Sequence, residues 1–202
     1  MERLLKACIS HLKSYYTSDL ETWQQRCYQE YDQVFLPGFS HPHAIGVVNL
    51  AHLTGESSLL PTAFLQCHTL QERIFDGFER ADGLYEGLAL ADLKRCIKAK
   101  GRIAAASLAI YVRMYRASVS DHCATPDACL SALQAALALL DWYSDIVTEQ
   151  DPFRPPLRLD EVPEDIVLCS RCADLAVERG REAQEEFWKV LPRIFSIEVD
   201  GW

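Results

Sequence analysis

Apolar residues recur along most of this chain at spacings of three and four positions, the pattern that is typical of amphipathic helices. Seven segments show this pattern, and they cover residues 1–15, 19–29, 43–55, 57–67, 90–116, 126–143 and 169–190. We therefore predict a mostly α-helical protein, a single domain over residues 1–202 built from about seven helices.

The predicted core faces follow from the apolar positions that share one side of each helix. Residues 43–55 are apolar nearly all round, which is typical of a helix that is buried in a core. The helix over 90–116 is expected to be the longest, with its core-facing stripe formed by Leu93, Ile97, Ala104, Leu108, Tyr111 and Tyr115. On the last helix, the residues that share one side are Cys172, Ala176, Ala183, Phe187 and Leu191.

Short motifs predict where several helices begin and end. Ser18 and Glu21 form a capping-box pattern, in which the serine oxygen accepts a backbone N–H and the glutamate reaches back. Gly55 is placed to cap the third helix, because glycine tolerates the left-handed conformation that is needed there. Either Ser57 or Ser58 is expected to cap the next helix.

Three stretches interrupt the helical pattern. Pro37-Gly38 breaks the chain before the third helix. Asp82-Gly83 is a tight-turn dipeptide between apolar residues, so it predicts a small β-hairpin, with an irregular loop as the alternative. Residues 145–163 contain four prolines and few core residues, and they predict an extended crossing loop that apolar burial alone would hold loosely.

The net charge of −9 limits the partners that the chain can attract. A negative field repels phosphate backbones, so we expect no nucleic-acid partner. Seven cations lie between Lys94 and Arg116, and we interpret them as the solvated face of a helix rather than as a binding patch.

The first residues do not resemble a signal peptide, because their charges recur at helical spacing and interrupt every apolar run. No apolar segment approaches the length that spans a membrane. We therefore expect an intracellular protein, in the cytoplasm or the nucleus, with no membrane partner. In that setting the eight cysteines are expected to be reduced thiols or metal ligands rather than disulfides.

Four cysteines in the last third of the chain form two pairs. Five residues separate Cys123 from Cys129, and two separate Cys169 from Cys172. Structural zinc sites usually take two close sulfurs from each of two arms, and the second pair also lies where a helix begins, which stabilises thiolates. We predict that Cys123, Cys129, Cys169 and Cys172 hold one structural Zn²⁺ ion that pins the C-terminal helix.

Other interpretations of these cysteines stay open. In one, His122 replaces one sulfur in the ligand set. In another, the thiols are unliganded and pack as small apolar groups. In a third, Cys169 and Cys172 are the redox pair of a thiol oxidoreductase, although the strand-rich context of a thioredoxin-like domain is missing. The remaining cysteines are assigned to packing, and they are Cys8, Cys27, Cys67 and Cys96.

The sequence contains no other motif of catalytic chemistry. It has no glycine-rich phosphate loop, no Gly-x-Ser-x-Gly elbow and no His-Glu-x-x-His pair. We therefore expect a non-enzymatic protein with no catalytic residues.

The chain also resembles a group of known proteins along nearly its whole length. The segments that carry the resemblance are residues 15–23, 43–56, 82–83, 92–96, 168–172 and 187–195, together with Cys123 and Cys129. They are similar to the C-terminal portion, outside the BTB domain itself, of the BTB/POZ-domain proteins that are abundant in mushroom-forming fungi.

The resemblance implies a helical companion domain that acts as a protein–protein interaction or scaffold domain. In such proteins a BTB domain normally precedes the equivalent of Met1, and residues 1–16 resemble the helix that follows it. We expect the protein to lack the BTB domain, and therefore expect neither BTB-type dimerisation nor a cullin-adaptor role. The expected partners are other proteins.

Overall fold

The computed structural model describes residues 2–28, 41–140, 152–153 and 166–202. Within them the chain forms seven α-helices, which are α1 Glu2–Tyr15, α2 Leu20–Tyr28, α3 His43–Thr54, α4 Leu60–His68, α5 Leu90–Met114, α6 Pro126–Ala138 and α7 Ser170–Ile194. The same residues also contain two short 3-10 segments, Ser57–Leu59 and Gln71–Phe75, and one hairpin of β1 Phe78–Glu79 and β2 Tyr85–Glu86. The prediction of a mostly α-helical fold is confirmed.

The chain divides into two compact units. The first unit comprises Met1–Arg102 and Lys189–Trp202, and the second comprises Ile103–Trp188. Each unit buries apolar side chains of its own, so the two are taken in turn. That residues 1–202 form a single domain stays a prediction.

The core of the first unit is built around α3 and α4, which pack against each other. Ile45 and Val48 of α3 are fully buried, and every residue of α4 is buried as well. Phe64 of α4 stacks on Phe195, with ring centroids 5.3 Å apart. Burial of each such aliphatic or aromatic side chain contributes about 1.5–3 kcal/mol, so these two helices supply much of this unit's stability.

The helix ends confirm one predicted cap and correct two others. Gly55 has a φ of 74° and donates its N–H to the Ala51 carbonyl, so it caps α3 as predicted. The cap of α2 is Asp19 rather than the predicted serine, because Asp19 Oδ2 accepts the Thr22 N–H at 2.7 Å. A carboxylate is the stronger acceptor and also suits the positive end of the helix. Before α4, Ser57–Leu59 forms a 3-10 turn that leads directly into the helix, so neither serine is its cap.

The predicted β-hairpin is present at Asp82-Gly83. Phe78 pairs with Glu86 across the two antiparallel strands. Gly83 has a φ of 78°, in the left-handed region that favours glycine, and Asp82 Oδ1 accepts the Leu84 N–H at 3.2 Å. The turn therefore closes through the chemistry that this dipeptide predicts.

The helix α5 buries a different face from the predicted one. Its buried residues are Asp92, Cys96, Ala99, Ile103, Ser107, Ile110 and Met114. Two residues of the predicted stripe are largely exposed instead, Ile97 at 56% and Leu108 at 45%. The prediction is wrong for these two residues, whereas Tyr115, just after α5, is buried as predicted, and Leu93, Ala104 and Tyr111 are half-buried. Asp92 is buried with partners, since its carboxylate oxygens lie 3.2 Å from His52 Nε2 and 3.0 Å from Arg95 Nη1.

The core of the second unit contains residues from α5, α6 and α7. Its buried members are Met114, Tyr115, Ala132, Leu133, Ala136, Ile166 and Ala176. Phe153 is also fully buried and meets Trp188 edge to face, with centroids 4.7 Å apart. The Pro152 carbonyl accepts a hydrogen bond from Gln184 Nε2 at 2.9 Å. The expectation of a loosely held crossing loop is therefore wrong at residues 152–153, which are anchored on α7.

The last helix follows its prediction closely. It has 25 residues, the same number as α5, and its buried side includes Cys172, Ala176, Ala183 and Leu191 as predicted, whereas Phe187 of the same predicted side is only half-buried. The predicted break at Pro37-Gly38, residues 141–143 of the sixth predicted helix and most of the crossing loop lie outside the described residues. None of the helices among the described residues combines the length and apolar character that crossing a bilayer requires.

The observed orientation of α5 can be tested with two substitutions of the same kind. Ile103 is fully buried, so Ile103→Ala is expected to lower the free energy of unfolding by about 2–5 kcal/mol. Ile97 is mostly exposed, so Ile97→Ala is expected to change it by less than about 0.5 kcal/mol. Urea denaturation followed by circular dichroism measures both. If Ile97→Ala is the more damaging change, the predicted stripe rather than the observed face is the buried one.

Candidate metal centre

The first pair of cysteines lies where the chain turns into α6. Cys123 closes a tight turn, because its N–H donates to the Ser120 carbonyl at 3.0 Å. Three residues later Pro126 begins α6, a position where proline is favoured because its missing N–H would have no helical partner. Cys129 lies in the first turn of this helix, and its N–H donates to the Thr125 carbonyl. The turn and the helix start together place both sulfurs at the N-terminus of α6.

The second pair lies at the N-terminus of α7. The Cys169 carbonyl accepts the N–H groups of Cys172 and Ala173, at 3.0 Å and 2.9 Å, and these bonds begin the helix. Cys169 therefore precedes the helix, and Cys172 lies within its first turn. The two-residue spacing directs both side chains to the same end of the helix.

The structure brings all four predicted sulfurs together. The Sγ atoms of Cys123, Cys129, Cys169 and Cys172 lie within 4.8 Å of one another, and the Sγ atoms of Cys123 and Cys169 are 3.7 Å apart. Zinc bonds to sulfur at about 2.3 Å, which places tetrahedral sulfurs about 3.8 Å apart. The spacing is therefore that of one mononuclear metal site. The exposed side chain of His122 is not part of this group, so no histidine replaces a sulfur in it.

The four sulfurs differ in burial and in hydrogen bonding. Cys129 and Cys172 are almost fully buried, with 1% and 2% of their surface exposed, whereas Cys123 and Cys169 are partly exposed. The buried sulfurs accept backbone N–H groups, Cys129 from Cys169 and Cys172 from Ser120, each at 3.4 Å. Such N–H donors stabilise negative charge on sulfur, so the site is arranged to receive thiolates.

The environments of three of these thiols shift their pKa values in different directions. The Cys169 N–H, and after it the Thr125 hydroxyl, lower the pKa of Cys129 to about 7. Burial raises the pKa of Cys172 to about 12 despite its N–H donor, and burial also raises the pKa of Cys123. A divalent cation compensates four negative charges at such close range, and binding it releases the thiol protons. The donor set therefore fits a soft divalent metal ion.

An arginine that the sequence did not single out supports the segment that carries Cys123 and Cys129, which we call the first arm. Arg179 of α7 donates to the Ser118 carbonyl at 3.0 Å and to the Ser118 hydroxyl at 3.1 Å, and it also reaches the Arg116 carbonyl at 3.4 Å. These bonds hold the segment that leads from α5 to the Ser120 turn. Sequence spacing gives no signal for such a contact, because 61 positions separate Arg179 from Ser118.

The remaining cysteines divide between packing and exposure. Cys67 and Cys96 are buried, as predicted, and burial raises the pKa of Cys96 to about 12, which makes that thiol a poor ligand and a poor nucleophile. The prediction is wrong for Cys8, which is exposed on α1. The side chain of Cys27 lies outside the described residues.

No protein-family model, curated protein or solved structure matches this chain. The assignment of the site therefore depends on the geometry and chemistry of the four sulfurs themselves.

The support that Arg179 gives to the first arm is open to a matched test. Arg179→Met removes its hydrogen bonds and is expected to lower the free energy of unfolding by about 1.5–3 kcal/mol. Arg181→Met removes only an exposed ion pair with Glu185 and is expected to cost less than about 0.5 kcal/mol. Hydrogen exchange should show faster amide exchange at residues 116–123 in the first variant alone. Unchanged exchange there would mean that Arg179 does not hold this segment.

Proposed function

We propose that this chain is a non-enzymatic, intracellular interaction domain in which one structural Zn²⁺ ion, held by Cys123, Cys129, Cys169 and Cys172, fastens the start of α7 to the start of α6. The observation that carries the proposal is the mutual approach of the four sulfurs to within 4.8 Å. The bound ion would stabilise the thiolates and join two arms that are 40 or more positions apart.

Zinc is the metal that best suits this donor set. Four thiolates are soft ligands, which disfavours calcium and magnesium, since those ions take oxygen donors. A tetrahedral set of four sulfurs is typical of zinc or of an iron–sulfur cluster. In an iron–sulfur cluster, cysteine sulfurs on different irons are farther apart than the ligands of a single ion, so the approach of all four sulfurs to within 4.8 Å favours a single ion.

The interaction role is supported by the resemblance to the companion domain of fungal BTB proteins and by exposed apolar surface on the first unit. Leu90 and Ile97 of α5 are 66% and 56% exposed, and they lie on one face of the helix. Exposed aliphatic side chains are a surface that an apolar protein partner can cover.

The alternative is a thiol oxidoreductase that uses Cys169 and Cys172. Two observations weigh against it. Cys172 lies within 4.8 Å of Cys123 and Cys129 as well as of Cys169, so it belongs to a four-sulfur group rather than to an isolated dithiol. Cys169 also has a neighbouring sulfur from the other arm, Cys123, at 3.7 Å. Catalytic reduction of insulin disulfides by the purified protein, with turnover, would support the enzyme instead.

Metal content and stability together test the zinc site. The purified chain is expected to contain one equivalent of zinc, as measured by inductively coupled plasma mass spectrometry. Cys172→Ser should abolish it and lower the free energy of unfolding, because the ion stabilises only the folded chain. The control is Cys96→Ser, which alters another buried thiol and should leave the zinc content at one equivalent. Zinc content that is unaffected by Cys172→Ser, or absent from the wild type, would contradict the proposal.

Removal of the metal should also have a local effect. After chelation, amide exchange is expected to accelerate at residues 118–129 and at the first turns of α7, because these segments meet at the sulfurs. Protection in α3 and α4 should persist, since these helices are held by apolar burial. Uniform loss of protection along the chain would show that the ion does not act locally.

The interaction surface can be tested by affinity purification. A double variant, Leu90→Asp with Ile97→Asp, is expected to recover its protein partner at least about tenfold less well than the wild type, which corresponds to about 1.4 kcal/mol of binding free energy. The control is Leu84→Asp, which alters an equally exposed leucine on the hairpin and should not reduce recovery. Direct binding is then measured with the purified partner. Equal recovery by all three proteins would exclude this face of α5.

A further inference from the structure

The four sulfurs of the candidate centre form two pairs of different accessibility. We call Cys123 and Cys169 the outer pair, because both are partly exposed, and Cys129 and Cys172 the inner pair, because both are almost fully buried. These pairs differ from the two pairs that are close in sequence, because each contains one cysteine from each arm. A reagent in solution therefore meets one sulfur of each arm first.

The outer sulfurs are also close enough to react with each other. They are 3.7 Å apart, whereas a disulfide needs about 2.05 Å, so a shift of less than 2 Å closes the gap. Rotation about the Cα–Cβ bonds of both cysteines moves the two sulfurs along arcs on which such a shift can be shared. The inner sulfurs accept backbone N–H groups that hold them in place. Geometry and access therefore both select the outer pair.

We propose that Cys123 and Cys169 form a site of reversible oxidative modification, at which a hydroperoxide converts the two thiolates to a disulfide between the arms. The formation of this bond depends only on the arrangement of the sulfurs. The loss of metal that should accompany it rests on the proposed zinc site.

The reaction takes place in two steps. One outer thiolate attacks an oxygen of hydrogen peroxide, and with one proton this gives a sulfenic acid and water. The other outer thiolate attacks the sulfenic sulfur and displaces hydroxide, which takes up a second proton and leaves as water. The peroxide is reduced by two electrons, the two thiolates lose two electrons, and one sulfur–sulfur bond forms. A dithiol in solution reverses the reaction by thiol–disulfide exchange.

Oxidation then changes the ligand set without separating the arms. The disulfide removes two of the four thiolates, and the two inner sulfurs that remain are too few for a structural zinc site. The same bond joins positions 46 residues apart, so the starts of α6 and α7 stay linked. The predicted response to oxidant is therefore release of the metal from a chain that stays folded.

Peptide mapping of the whole chain can identify the bond. Wild-type protein of measured zinc content is treated with hydrogen peroxide, its remaining thiols are alkylated, and it is digested with trypsin and Asp-N. Trypsin cleaves after Arg171, between Cys169 and Cys172, and Asp-N cleaves before Asp127, between Cys123 and Cys129. All four cysteines are thus on separate peptides. The expected main product joins the peptides of Cys123 and Cys169, is about 2 Da lighter than their sum and is reversed by dithiothreitol.

Two variants serve as controls. Cys123→Ser should abolish the joined peptide pair, whereas Cys8→Ser, which removes an exposed thiol on α1, should leave its yield unchanged. In the wild type, one equivalent of zinc should be lost for each disulfide formed. A main product that joins any other pair, or modification confined to single cysteines, would overturn the proposal.

The outcomes separate this inference from the proposed function. If the chain binds one zinc and peroxide yields no bond between Cys123 and Cys169, only the modification site is wrong. If the bond forms in a chain that binds no metal, the modification site stands and the zinc proposal is wrong.

Discussion

The second unit is organised by one electrostatic constraint, the placing of four sulfur atoms within 4.8 Å of one another. Four thiolates at this distance repel strongly, so they need positive charge close at hand. The protein supplies part of it through the N-termini of α6 and α7 and through backbone N–H groups aimed at Cys129 and Cys172. The proposed Zn²⁺ ion would supply further positive charge, which Cys172 needs because burial raises its pKa to about 12.

The helix α7 links this centre to the rest of the second unit. Its first turn contributes Cys172, its middle contributes Arg179, and further along it Trp188 packs on Phe153. A change at the sulfurs therefore acts on a rigid element that also carries polar and aromatic contacts. This arrangement explains how a structural ion can influence residues well beyond its ligands.

The unequal exposure of the four sulfurs and the exposed apolar face of α5 have different physical origins. At the sulfur centre, exposure is unequal because each helix start buries one sulfur and leaves one near the surface. On α5, Leu90 and Ile97 remain exposed because the opposite side, with Asp92 and Cys96, is the one buried. The proposed oxidation site uses the first difference in exposure, and the proposed interaction surface uses the second.

The sequence by itself determined the helices, the hairpin at Asp82-Gly83, the glycine cap of α3 and the four cysteines that converge, because each depends on local spacing or on residue chemistry. The tertiary structure alone decided the features that depend on distant partners. The buried face of α5 depends on His52 meeting Asp92, and the anchoring of Phe153 depends on Trp188. The division into inner and outer sulfurs likewise depends on how two arms 40 or more positions apart fold against each other, and no local pattern encodes that.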